Sequence, residues 1–105
     1  MSICKEFEKL VEKRKTLCGE IESDPIIKEM VSLMTSNVNS TITFLRNDCS
    51  PEQFVWISEI ADEITACTKS IEFIQELRNL CNKYPDVTAK YNIRYFVESA
   101  AEYLE

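Results

Sequence analysis

The sequence SPEQFVWISEIADEITAC, residues 50–67, contains the clearest helix-start signal of this chain. Ser50 at the N-cap, Pro51 at the first helical position and Gln53 at the third predict a capping box at a helix start. Since a helix turns by about 100° per residue, the apolar side chains that follow share one broad face, which we expect in the core. That face consists of Gln53, Phe54, Ile57, Ile60, Ala61 and Ile64.

The rest of this helix carries four acidic residues, no basic residue and the only tryptophan of the chain. Trp56 falls at the flank of the core face, with Glu52, Glu59 and Glu63 close to it in projection and Asp62 on the other side. A tryptophan within an acidic rim is typical of an anchor at a protein interface. The alternative is a core tryptophan beside solvated charges. We predict that the partner-binding residues are Glu52, Trp56, Glu59, Asp62 and Glu63.

The N-terminal residues contain a first amphipathic pattern. Apolar residues recur every three or four positions across residues 3–18, up to Leu17 and Cys18, and predict a helix. Gly19 follows, where a glycine is favoured just past a helix end. The basic run Lys13–Lys15 lies near that end and complements the negative end of the helix dipole.

A second pattern extends over residues 25–46, and Asp24 is its predicted N-cap. The polar segment Thr35–Thr41 weakens the centre of this pattern, because Asn, Ser and Thr side chains compete for backbone hydrogen bonds. The segment therefore predicts either one long helix with a weak or bent centre or two shorter helices.

Two more helices are predicted after residue 67. Ser70 caps the fourth, which ends at Tyr84 because Pro85 cannot continue the hydrogen-bond ladder. A connector over residues 85–91 leads to the fifth. The expected buried positions of these two helices are Ile71, Ile74, Leu77, Leu80 and Cys81, then Ile93, Phe96, Val97, Ala100 and Leu104.

Five helices with short links predict an all-α fold, with residues 1–105 forming a single helical domain. The arrangement is either an antiparallel bundle or a short HEAT-like helical array. An apolar content of 45% argues against disorder, and a single glycine argues against a fold rich in hairpins.

The net charge of −6 is uneven, since residues 1–50 carry about −1 and residues 51–105 carry −5. Such acidity repels nucleic acid and membrane surfaces and favours a basic partner, unless it only maintains solubility. The five cysteines include no CxxC pair, and the N-terminal residues lack the apolar run of a signal peptide. We therefore expect a cytoplasmic protein with reduced thiols, no nucleic-acid ligand and no membrane association.

The sequence lacks the residues that several kinds of catalytic and metal site require. The chain has no histidine, and its cysteines are 14, 31, 18 and 14 positions apart, which excludes nucleophile–histidine pairs and the common zinc sites. We expect no enzyme activity, no cofactor and no metal. The alternative is a carboxylate enzyme that binds Mg²⁺ through Glu59, Asp62 and Glu63, since Glu59 and Asp62 have ExxE-like spacing.

Residues 54–104 resemble the small helical bacterial immunity proteins of polymorphic-toxin and contact-dependent growth inhibition systems. The features that carry the resemblance are Phe54, Trp56, Ser58-Glu59, Thr68-Lys69-Ser70, Glu72-Phe73, Lys83-Tyr84-Pro85, Tyr91-Asn92-Ile93 and Ala101-Glu102-Tyr103-Leu104. The resemblance implies a cytoplasmic antidote that binds and blocks one cognate toxin domain. Many such domains are basic nucleases, for which an acidic surface would mimic the nucleic-acid backbone and speed encounter. The alternative is a general helical interaction or regulatory module, such as a homodimer.

Overall fold

Seven α-helices and a final 3₁₀ turn make up the part of the chain that this computed structural model describes, residues 3–16 and 24–104. The helices are α1 Ile3–Thr16, α2 Asp24–Ser36, α3 Val38–Asn47, α4 Pro51–Thr68, α5 Ile71–Lys83, α6 Pro85–Lys90 and α7 Ile93–Ala101, and the turn is Glu102–Leu104. These residues contain no strand. The predicted all-α class is confirmed, and the predicted number of five helices is too low.

The first additional helix arises at Asn37, which divides the segment between residues 24 and 47 into α2 and α3. Asn37 is extended (φ −148°), and its side-chain oxygen accepts a hydrogen bond from the Ser40 amide at 3.1 Å. The Thr41 hydroxyl crosses the break and donates to the Met34 carbonyl at 2.7 Å. The polar segment therefore contains the start of a new helix. Of the two predicted alternatives, one long bent helix and two shorter helices, the second is correct.

The second additional helix, α6, occupies the predicted connector. Pro85 ends α5 and also begins α6, because its fixed φ and missing N–H suit the first helical turn. The Thr88 hydroxyl donates to the Tyr84 carbonyl at 2.7 Å, and the Tyr84 hydroxyl donates to the Cys49 carbonyl at 2.7 Å. Asn92, in the left-handed region (φ 54°), then separates α6 from α7.

Helix α4 is the central element, in contact with α1, α2, α5, α6, α7 and the 3₁₀ turn. Its capping box is confirmed: the Ser50 amide donates to Gln53 Oε1 at 2.9 Å, and the Gln53 amide donates to Ser50 Oγ at 3.2 Å. All six residues of its predicted core face are buried. Ser58 and Thr65 are buried as well, because several helices surround α4. These contacts between elements far apart in sequence give a compact globule, unlike a linear array in which each repeat meets only its neighbours.

Two predicted core residues are exposed instead. Ile71 is 62% exposed because it lies in the first turn of α5, and the core side of that turn is filled by the fully buried Phe73. Phe96 is 39% exposed because α7 packs inward through Ile93, Val97 and Ala100, which leaves it at the edge of the buried stripe. The predictions for Leu17, Cys18, Gly19 and the capping side chain of Asp24 lie outside the described residues. None of the described helices is long and apolar enough to cross a membrane.

Candidate functional site

An open cleft of about 590 Å³ lies beside the N-terminal half of α4. Helix α4 contributes Pro51, Glu52, Val55, Trp56 and Glu59, and the opposite side is formed by Lys15 at the end of α1 and by Val87 and Tyr91 in and after α6. Three of the five predicted partner-binding residues, Glu52, Trp56 and Glu59, thus share one cleft. Its walls are mainly apolar, and its carboxylates come from α4.

Trp56 forms part of the cleft wall and also packs against the hydrophobic core. Its side chain is half-buried, and the guanidinium carbon of Arg14 lies 5.6 Å from the centre of its ring. That distance is within the range of a cation–π interaction. The Arg14 Nε atom is buried and makes no hydrogen bond to any described residue. The tryptophan is therefore neither a pure core residue nor a freely exposed one.

Glu52, at the rim of the cleft, is paired with a cation from α1. The Lys15 ammonium donates a hydrogen bond to the Glu52 carboxylate and lies 3.7 Å from Glu12 Oε1. The hydrogen bond and charge of Glu52, with a smaller contribution from Glu12, raise the pKa of Lys15. Because both members of the Lys15–Glu52 pair are exposed, the pair adds little to stability. It does neutralise one of the two cleft carboxylates.

Glu59 is the second cleft carboxylate, and it has no ion-pair partner among the described residues. The residue as a whole is exposed, but desolvation of its carboxyl group raises the pKa of Glu59, and the nearby Arg14 charge opposes that rise. Glu59 is therefore a partly desolvated anion at the edge of an apolar wall. Such a group favours the approach of a cation.

Asp62 and Glu63 lie further along α4 and do not line the cleft. Asp62 is half-buried, and its side chain accepts a hydrogen bond from the Glu63 amide at 2.9 Å, while Glu63 is exposed. The predicted residues therefore divide into a cleft group and an acidic continuation of the same helix.

Two acidic residues on neighbouring helices, Glu76 and Glu98, are held in ion pairs. The Arg78 guanidinium binds Glu98 with an N–O distance of 2.8 Å, and the Arg46 guanidinium binds Glu76 at the same distance. The hydrogen bond from Arg78 keeps the pKa of Glu98 below its ordinary value. These two carboxylates are therefore neutralised by arginines of the same protein.

A cluster of three carboxylates lies at the junction of α1 and α4. Oxygens of Glu8, Glu12 and Glu52 lie within 4.8 Å of one another, the one such grouping of acidic or thiol ligands among the described residues. The Lys15 ammonium binds two of these carboxylates, and the Gln53 side-chain amide donates to Glu8. Protein donors thus already serve these oxygens. Glu59, Asp62 and Glu63, the trio weighed for Mg²⁺, do not form such a grouping.

The contribution of α1 to this site was not predicted. In the sequence, the run Lys13–Lys15 indicates only a match to the helix dipole, whereas in the structure Arg14 lies beside the Trp56 ring and Lys15 pairs with Glu52. The predicted connector likewise supplies Val87 and Tyr91. No local signal connects these segments to α4. Comparisons with family models, with curated proteins and with solved structures find no match to this chain.

Proposed function

We propose that this protein is a cytoplasmic immunity protein, which binds a cognate toxin domain with a basic surface and blocks its activity. The observation that carries the proposal is the cleft beside α4, where a half-buried tryptophan lies between acidic groups. Tryptophan in a partly desolvated pocket is a common energetic centre of protein interfaces. The apolar walls would supply affinity, and the carboxylates would select a basic partner.

The distribution of charge supports a basic partner. Residues 51–105 carry −5 of the total charge of −6, and Asp62 and Glu63 continue the acidic surface of α4 beyond the cleft. Complementary charge speeds association and disfavours acidic partners. The choice of a toxin domain as that partner rests on the sequence resemblance of residues 54–104.

The test is co-purification of this protein with the toxin domain encoded beside its gene, followed by measurement of affinity for variants. We expect Trp56→Ala to weaken binding by about 30-fold or more, the usual effect of losing a central aromatic anchor. The double variant Glu59→Lys/Glu63→Lys should also weaken binding, most strongly at low salt, because it replaces two attractive charges with repulsive ones.

The matched control is Glu29→Lys/Glu72→Lys, which makes the same change in net charge at exposed positions of α2 and α5. Its affinity should stay close to that of the natural protein. If both α4 variants bind as tightly as this control, the α4 surface is not the binding site.

A second candidate function, a general interaction module or homodimer, is favoured by exposed aromatic residues on α7. Tyr95 is 63% and Phe96 39% exposed, and their rings form an edge-to-face pair with centres 5.7 Å apart. Sedimentation of the natural protein and of Tyr95→Ser tests this function. A dimer that Tyr95→Ser dissociates would support it, and a monomer at high concentration would exclude the homodimer.

A further inference from the structure

We propose that the cleft beside α4 binds one arginine side chain of a partner protein, with the guanidinium group at Glu59 and the alkyl part along the apolar walls. This inference deepens the proposed function and rests on it for the identity of the partner. It specifies the chemical group that the cleft recognises.

The charges of the cleft suit a single cation. Two carboxylates, Glu52 and Glu59, and one ammonium, Lys15, line it, which leaves one net negative charge. Lys15 is paired with Glu52, so the unpaired charge is that of Glu59. A guanidinium group at this position would complete the pairing, whereas an anionic or acidic ligand would meet a carboxylate that has no ion pair among the described residues.

The walls of the cleft suit arginine better than lysine. Val55 and Val87 provide aliphatic surface for an alkyl chain, and Trp56 and Tyr91 provide two aromatic rings. Long basic side chains pack their methylene groups on apolar surface while the charged end stays polar. The planar guanidinium also stacks on aromatic rings and forms two parallel hydrogen bonds to a carboxylate, which an ammonium cannot do.

The protein contains an internal example of a guanidinium group beside Trp56. Arg14 lies with its guanidinium carbon 5.6 Å from the ring centre of Trp56 and is close enough to influence the Glu59 carboxyl. Arg14 does not line the cleft, whereas Trp56 and Glu59 do. A partner arginine would repeat, from the cleft, the contact that Arg14 makes from α1.

The experiment is a titration of the whole protein with acetyl-Gly-Arg-Gly-amide, followed by the fluorescence of Trp56, the only tryptophan. The controls are the same peptide with citrulline, which keeps the shape of arginine without its charge, and with lysine. We expect a saturable change with arginine at millimolar concentration, a weaker response with lysine and none with citrulline. An equal response to citrulline and arginine would overturn the inference, and equal affinity for lysine and arginine would overturn the preference for arginine.

Two substitutions test the cleft in opposite directions. Glu59→Gln should weaken arginine binding by about two- to fivefold, and Lys15→Gln should strengthen it by a similar factor because Glu52 becomes free. Glu29→Gln, on α2, makes the same charge change as Glu59→Gln and should leave the affinity unchanged. Damage to the fold cannot produce the increase expected for Lys15→Gln. Unchanged affinity in both cleft variants would contradict the inference.

The peptide titration and the toxin experiment can fail separately. If the peptide binds as expected but no toxin domain co-purifies, the arginine site stands and the immunity function fails. If a toxin domain binds while the peptide does not perturb Trp56, the immunity function stands and the arginine site fails.

Discussion

Gln53 should tolerate glutamate less well than local helix rules predict. At the third position of α4, glutamate preserves the capping box and adds a negative charge near the helix N-terminus, which is worth about 0.3–1 kcal/mol in favour of the variant. The tertiary structure opposes this gain. Gln53 is 5% exposed, and its side-chain amide donates a hydrogen bond to the Glu8 carboxylate.

Gln53→Glu replaces that donor with a second carboxylate. A hydrogen bond to a charged group is worth about 1.5–3 kcal/mol, so the net effect after the local gain is a destabilisation of about 1–2 kcal/mol at pH 7. Urea unfolding followed by Trp56 fluorescence and circular dichroism measures this difference.

The exchange of both partners provides the control. In Gln53→Glu/Glu8→Gln the amide and the carboxylate trade places, so a hydrogen bond across α1 and α4 can form again and the double variant should recover at least half of the lost stability. A Gln53→Glu variant as stable as the natural protein at pH 7 would refute the reasoning, because it would show that local capping outweighs the contact with Glu8.

Two further predictions concern the cysteines and the α6–α7 junction. Burial raises the pKa of the Cys49 thiol to about 12 and also raises the pKa of Cys81, whereas Cys67 is exposed. At pH 8, iodoacetamide should therefore label Cys67 before Cys49 and Cys81, which should react only in denaturant. Peptide mapping measures the labelling at each cysteine. Equal rates at Cys67 and Cys49 would contradict the burial of Cys49. Asn92 has a φ of 54° and no side-chain capping bond. Because a β-carbon disfavours this conformation, Asn92→Ala should lower the free energy of unfolding by about 1 kcal/mol, whereas Asn92→Gly should lower it little. Urea unfolding measures both values. A loss for glycine equal to that for alanine would point to a role of the asparagine side chain instead.

Signals that act within one or two helical turns were predictable. The capping box of Ser50 and Gln53, the cap of α5 at Ser70 and the core face of α4 all follow from side-chain chemistry and helical periodicity. Proline was harder to interpret, because Pro85 both ends one helix and begins the next. The number of helices was therefore predicted too low although their class was right.

Periodicity also placed Trp56 at the flank of the core face of α4, with Glu52, Glu59 and Glu63 close to it in projection. It could not show which residues lie opposite them. Lys15 reaches Glu52 across 37 positions of sequence, and Arg14 reaches Trp56 across a similar distance. Such contacts depend on how whole helices pack, and no residue pattern near either partner encodes them.

The residue pattern is sufficient to predict an all-helical chain and a well-capped helix α4 that carries the only tryptophan beside acidic residues. The packing of the helices is needed to show that Trp56 and Glu59 line a cleft, that Lys15 neutralises Glu52 and that Phe96 is exposed. The physical reason is one of range. Caps and amphipathic faces arise from interactions between residues a few positions apart, whereas a cleft forms where helices distant in sequence meet.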